Sequence, residues 1–218
     1  MMEFEKARFN MVENQIRANR VTDPVVLEAM GKLPRELFVP KTLRGIAYVD
    51  EDLPLDDGRY LMEPMVLARM IQAAAVRETD VVLDVGCATG YSSAVLAGMA
   101  STVVGLEQDE DLATRATRTL TDLGIDNAVV VTGPLPDGYA RQAPYDVILI
   151  GGAVPAVPDH LRRQLADGGR LVAVVGDGGW DSKVTVVERH GDAYGQRVLY
   201  DAATPVLPGF EKDEVFVF

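Results

Sequence analysis

Val82-Leu83-Asp84-Val85-Gly86-Cys87-Ala88-Thr89-Gly90-Tyr91 reads as a short apolar strand ending on an acid, then a glycine turn, with a helix following over Ser92 to Met99. Downstream, Thr102-Val103-Val104-Gly105-Leu106 is a second buried-strand run that ends at Glu107. Strand, glycine turn, helix and a strand ending in a carboxylate roughly 20 residues on is the plan of a nucleotide-type cofactor site. Glycines let backbone N–H groups approach the ligand, and Glu107 is suited to accept hydrogen bonds from ribose hydroxyls.

The loop also selects among cofactors. Counted from Gly86, the second and third glycines of a dinucleotide fingerprint would fall at Ala88 and Tyr91, and neither is glycine. A phosphate loop ending in Lys-Ser or Lys-Thr is excluded, because no lysine lies between Lys41 and Lys183. Gly86 and Gly90 set between two acids suit S-adenosylmethionine, which has no phosphate and carries a sulfonium and an ammonium. Asp84 would orient its methionine end and Glu107 its ribose, with Cys87, Thr89 and Gln108 completing the expected cofactor set.

Composition narrows the partners. The chain has 218 residues with 21 basic against 33 acidic, a formal charge of −12. Such a surface repels nucleic acid and anionic lipid, so neither is an expected partner. No apolar run reaches the roughly 18 residues of a membrane span, and Met1 to Arg20 lacks an apolar signal core, so a cytoplasmic protein is expected. Cys87 is the only cysteine, and His160 and His190, the only histidines, lie far apart and read as surface residues. No metal site is expected.

The chain divides at residue 58. Glu3 to Ile46 is helical in pattern: Phe9, Val12 and Ile16 recur at helical spacing, and Thr22-Asp23-Pro24 starts a helix whose apolar face runs through Val26, Leu27, Met30 and Leu33. Ala47 to Gly58, with Asp50, Glu51, Asp52, Asp56 and Asp57, reads as a solvated acidic loop. Residues 1–58 are therefore an N-terminal helical extension with its loop, and 59–218 a cofactor-binding domain. That domain opens with a helix from Pro64 to about Ala75. Strands are predicted at Val81–Val85, Thr102–Glu107, Ala128–Thr132, Asp146–Ile150 and Arg170–Val175, with helices at Gly90–Met99, Asp109–Leu123 and Pro158–Leu165. Gly168-Gly169 reads as a turn, and alternation after Gly179 with Gly191-Asp192 between its halves predicts an antiparallel hairpin. The fold class is α/β: a Rossmann-like class I methyltransferase, mostly parallel, with a terminal antiparallel hairpin.

With these motifs placed, the chain resembles the protein-L-isoaspartate O-methyltransferases over nearly its full length. Asn14-Gln15-Ile16-Arg17, Thr22-Asp23 and Val26 to Met30 are similar to the family's opening helices, and Leu33-Pro34-Arg35-Glu36-Leu37-Phe38-Val39-Pro40 to its P-R-E-x-F-V signature. Ala47-Tyr48, Leu53-Pro54, Gly58, the cofactor loop, Ala143 to Asp146, Val157-Pro158 and Gln164 to Leu171 follow in register. The resemblance implies a protein-repair methyltransferase that uses S-adenosylmethionine and takes a protein or peptide carboxylate as acceptor.

Two departures stand out. The family's Q-T-I-S-x-P aligns with Arg59-Tyr60-Leu61-Met62-Glu63-Pro64, so Met62 stands at the position of the serine to which the family assigns a catalytic or positioning role. A thioether donates no hydrogen bond. Where the family has G-D-G near the adenine, this chain has Gly133-Pro134-Leu135, which adds Pro134 and Leu135 to the expected cofactor set and leaves adenine to apolar contacts, with Leu135 a candidate, and to backbone groups. Met62, Tyr60 and Arg59 are the candidate active-site residues. Met62 lines the pocket or belongs to the core, Tyr60 is a possible replacement donor, and Arg59 holds an acceptor carboxylate or solvates the acidic loop. The same enzyme acting on another small-molecule or protein acceptor, and a non-catalytic S-adenosylmethionine-binding or interaction domain, are the alternatives.

Overall fold

The computed structural model describes residues 2–55 and 58–211. Asp56 and Asp57 of the expected acidic loop lie outside them. Helix α1 (Met2–Asn10) runs on through a π-helical turn at Met11–Ile16, where Met11, Val12 and Ile16 are buried. Helix α2 (Pro24–Lys32) starts as its sequence dictates: Asp23 caps it by accepting from Val25 N at 2.9 Å, and Pro24 occupies the first turn. Short 3₁₀ turns at Arg35–Leu37 and Lys41–Ile46 lead to a small antiparallel pair, β1 (Leu53–Pro54) and β2 (Tyr60–Leu61).

The main sheet follows α3 (Pro64–Ala74). Its members are β3 (Val81–Val85), β4 (Thr102–Glu107), β5 (Ala128–Thr132), β6 (Tyr145–Val154), β7 (Leu165–Val175), β8 (Lys183–His190) and β9 (Ala193–Asp201). The seven strands lie in the order β5-β4-β3-β6-β7-β8-β9. Pairings from β5 to β7 are parallel, and the hairpin β8–β9 adds on antiparallel, as the alternation after Gly179 predicts. Helices α4 (Tyr91–Ala97), α5 (Glu110–Asp122) and α6 (Asp159–Arg162) are the crossovers. Strand order reverses between β3 and β6, and in open sheets of this kind such a reversal marks the C-terminal strand ends as the place for a ligand crevice.

Strand β6 runs on to Val154, and β7 begins at Leu165, so Gly168-Gly169 is not a turn before a strand but an irregularity within one. The backbone needs glycine there: a Cβ on Gly169 would sit 2.9 Å from both Ala166 O and Tyr145 O. The expected helix Pro158–Leu165 shrinks to Asp159–Arg162 because Leu165 is already paired with Tyr145 in the sheet. The acidic loop is not wholly solvated, since Asp52 turns inward and accepts from Glu63 N at 2.9 Å. Burial pushes the Asp52 carboxyl above its usual range.

One face of the sheet, including Val82, Val103, Val147, Leu149 and Val172, forms a single apolar cluster with Met11, Ile16, Val26, Met30, Phe38 and the buried side of α3. The described residues of the N-terminal segment are thus packed into the same core as the sheet. The other face, with Leu83, Val104, Ile148 and Leu171, is covered by Leu135, Leu161 and two residues from the end of the chain, Leu207 and Phe210.

Candidate active site

The glycine loop is clamped to β4 by two backbone hydrogen bonds, Gly86 N and Cys87 N both donating to Leu106 O at 2.8 and 3.2 Å. Gly86, Ala88 and Gly90 all have positive φ, at 77°, 49° and 91°, which is the left-handed geometry that folds the chain back into α4. Thr89 does not point at the crevice. Its hydroxyl donates to Phe38 O at 2.6 Å and ties the loop to the N-terminal segment.

The two acids expected to hold a cofactor end neighbouring strands, and both are fully buried. Asp84 Oδ2 accepts from the hydroxyls of Ser92 and Ser93 at 2.6 Å each, whereas Oδ1 is buried with no partner. Burial pushes its carboxyl up to about 6, against the opposing pull of the two hydroxyls. Glu107 is differently placed. Its Oε2 accepts from Ala88 N at 2.7 Å, and its Oε1 from Gln108 N at 2.9 Å and Asp109 N at 3.3 Å. On its remaining side stands Arg59, whose Nη2 donates to Oε2 at 2.9 Å and whose Nε lies 3.3 Å from both oxygens. Arg59 Nη2 also donates to Gly86 O at 2.7 Å, and the guanidinium is 3% exposed. Arg59 therefore neither solvates the acidic loop nor faces open solvent.

Of the other expected residues, Met62 is buried, and its carbonyl accepts from Arg35 Nη2 at 2.8 Å. Tyr60 lies beside it at 36% exposure. Met62, Tyr60, Leu61 and Leu67 face Gly86, Cys87, Ala88, Ser92 and Gly151 across a cavity of about 20 Å³. Cys87 is buried, and burial raises its thiol well above the usual range. Gln108 and Pro134 are exposed, whereas Leu135 is fully buried in the second apolar cluster and presents no free face to an adenine. Larger hollows, of about 480 and 470 Å³, lie elsewhere: one between α1 and Gly45–Val49, the other between Val39–Arg44 and α5.

Sequence reasoning missed the segment from Thr204 to Phe210. Leu207 N donates to Ala153 O at 2.8 Å and Ala153 N to Pro205 O at 3.0 Å, which lays the segment across the end of β6. The alternating pattern that marks β8 and β9 stops before it. Its one signal is Leu207-Pro208-Gly209-Phe210, two large apolar residues flanking a turn-forming Pro-Gly pair.

The donor set suits S-adenosylmethionine: an unpartnered carboxylate oxygen on Asp84, a second acid on the next strand and a glycine loop between them. The space, as the side chains lie, does not. No cluster of His, Cys, Asp or Glu among the described residues could hold a metal ion. No helix among them is long and apolar enough to cross a membrane.

The sequence pattern of the family described as protein-L-isoaspartate(D-aspartate) O-methyltransferase matches residues 6–203. A protein-L-isoaspartate O-methyltransferase of Methanoculleus marisnigri is 42% identical over 186 residues, 85% of this chain and 84% of that one. A protein of the same name from Synechococcus sp. is 45% identical over 179 residues, 82% of this chain and 73% of that one. A solved structure from Plasmodium falciparum carrying the family's name, in complex with S-adenosyl-L-homocysteine, superposes with a TM-score of 0.78 at 20% identity, covering 93% of this chain and 98% of that one. At that identity the likeness speaks for the fold.

Proposed function

This chain belongs to the protein-L-isoaspartate(D-aspartate) O-methyltransferase family, and from that premise we propose that it esterifies an isoaspartyl carboxylate through an active-site loop that departs from the family pattern at Arg59, Tyr60 and Met62. It is an S-adenosylmethionine-dependent methyltransferase. The bound cofactor supplies a methyl carbon made electrophilic by its sulfonium. Asp84, the loop from Gly86 to Gly90 and Glu107 are the residues that would hold it.

The chain's own part in the reaction is small in proton chemistry and large in positioning. An acceptor carboxyl with a reference pKa of about 4 is already ionised near neutral pH, so no general base is needed. Alignment of the attacking oxygen and exclusion of water then carry most of the acceleration. The buried side chains of Leu61, Met62 and Leu67 make an apolar wall opposite Gly86 that does the second of these. A serine at position 62 would add an orienting hydrogen bond, and its absence weakens the first, by about 1–3 kcal/mol if that bond is buried.

The observation that carries this reading is the pair of buried acids, Asp84 and Glu107, at the C-terminal ends of adjacent strands on either side of a glycine loop. The test is methyl ester formation on an isoaspartyl peptide beside its normal aspartyl control. Slow but isoaspartyl-selective turnover is expected, raised several-fold by Met62→Ser. Turnover that does not distinguish the two peptides would remove the acceptor assignment. Fast turnover unchanged by Met62→Ser would remove the role given to the loop.

A further inference from the structure

The end of the sheet that faces the cofactor is filled by the protein itself. A site for a drug-sized ligand has roughly 300–1,000 Å³; the cavity between Met62 and Gly86 has about 20 Å³, room for a water molecule. Two separate segments take up the rest. From one side Arg59 places a cation on the acid expected to meet the ribose, with its Nη2 on Glu107 Oε2 at 2.9 Å and on Gly86 O at 2.7 Å. From the other side the strap Thr204–Phe210 crosses the strand ends. A Cβ on Gly86 would lie 2.8 Å from Leu207 Cδ1 and 3.0 Å from Arg59 Nη2, so both residues press on the glycine loop at the same point. Further along the strap, a Cβ on Gly209 would meet Pro136 at 3.2 Å and Gln108 Oε1 at 3.4 Å, and Phe210 packs into the cluster that holds Leu135.

These groups are held less firmly than the acid they cover. Arg59 sits next to β2, a strand of two residues, and its own carbonyl accepts one hydrogen bond, from Leu55 N at 2.8 Å. Among the described residues, the strap's backbone hydrogen bonds to β6 all go through Ala153, and the rest of its hold is the packing of Leu207 and Phe210. Glu107, in contrast, keeps three backbone N–H donors whether or not Arg59 is present, so it stays in place as an acceptor when the arginine leaves. Segments with few backbone bonds open locally at a small fraction of the cost of global unfolding.

We propose that Arg59 and the Thr204–Phe210 strap form an internal plug that competes with the cofactor for Glu107 and the face of Gly86, so that cofactor binding and Arg59 release are one event. The inference rests on the cofactor reading above and deepens it: the apparent affinity is the intrinsic affinity scaled by the fraction of molecules with the plug withdrawn. Arg59 is then a positioning residue that sets how much cofactor the enzyme takes up.

The experiment is calorimetric titration of the full chain with S-adenosylhomocysteine, for the unmodified protein, Arg59→Met and Leu207→Ala, with hydrogen exchange of the unmodified protein alongside. Arg59→Met keeps the apolar stem and removes the cation; it should tighten binding at least tenfold, and Leu207→Ala several-fold. Ligand should also speed exchange at the amides of Leu55 and Leu207, the reverse of the usual protection. Binding by the unmodified protein that neither variant strengthens, or that Arg59→Met weakens, overturns the plug and leaves the cofactor reading intact. Absence of binding by all three overturns both. If Arg59→Met fails to fold, as its near-ultraviolet circular dichroism would reveal, Leu207→Ala and the exchange pattern decide: stronger binding with faster exchange supports the plug, and unchanged affinity with slowed exchange refutes it.

Discussion

Two arginines are buried on either side of the segment 59–63, and their surroundings differ in kind. Arg35 is fully buried and forms no ion pair among the described residues, the charge of Asp52 reaching it only from a distance. Its Nε donates to Ala47 O at 2.7 Å, its Nη2 to Met62 O at 2.8 Å, and its guanidinium lies 4.8 Å from the centre of the Tyr91 ring. Burial pushes the Arg35 guanidinium below its usual range. Arg59 instead rests on a carboxylate. Backbone carbonyls and a ring fixed in the core are partners for this side chain alone, so Arg35 is a permanent fastening between the N-terminal segment and the loop bearing Met62. The carboxylate at the end of β4 is a partner that a ligand can share, so the second fastening is exchangeable. Burial alone does not separate the two; the chemistry of the acceptor does.

The largest effect should come from removing the shared acceptor. Glu107→Ala leaves the Arg59 guanidinium buried and unpaired, a loss of about 3–5 kcal/mol, which for a chain of this size is a fall in melting temperature of about 6–20 °C. Adding Arg59→Met should restore most of it, because removing both members of a buried pair is far milder than removing one. Failure of the double variant to recover would mean that the three backbone donors on Glu107, rather than the ion pair, dominate that side.

A somewhat smaller effect is expected on the other side. Arg35→Met strands the carbonyls of Ala47 and Met62, at about 2–4 kcal/mol in all, read by the same thermal melt. No second side-chain substitution should rescue it, since its hydrogen-bond acceptors are main chain. Rescue by any single partner change would erase the distinction between the two arginines.

The smallest effect concerns pH. Glu63, next to Met62, is pushed up to about 7 by burial and by the neighbouring Asp50, Asp52 and Glu51. Its folded value exceeds the unfolded one, so between about 4.5 and 7 the folded chain keeps a proton that the unfolded chain has released. Stability therefore falls as pH rises through that window. The raised Asp84 adds the same sign between about 4 and 6. The melting temperature should be lower at pH 8 than at pH 5, and Glu63→Gln should flatten the difference. A rise over that range would show that the acids around Met62 are not crowded in solution.

The sheet was legible because its central parallel strands are local runs of apolar residues covered on both faces, as Val147-Ile148-Leu149-Ile150 shows, and even the edge strand β5, which is only partly covered, keeps an apolar run. The extra lengths of β6 and β7 were not, because Gly151, Gly152, Gly168 and Gly169 read as breaks and only the register with neighbouring strands makes them extended. In the site, the acids and glycines could be placed from spacing alone. The partner of Glu107 could not, for Arg59 is 48 residues away and follows a run of acids, where a cation reads as solvated. A physical clue was present: a carboxylate closing an all-apolar strand has to find donors once buried. The burial of Leu135 was illegible for a related reason, since a lone leucine after a proline gives no sign of the cluster it shares with Phe210 of the distant strap.

The strap has a consequence in time as well as in space. All seven strands of the sheet precede Thr204 in the chain, so during synthesis the sheet and its glycine loop can leave the ribosome before the segment that lies over them. A newborn molecule would pass through an interval in which half of the cover does not yet exist. A ligand that reached the strand ends in that interval would have Arg59 as its competitor before Leu207 arrived over the face of Gly86.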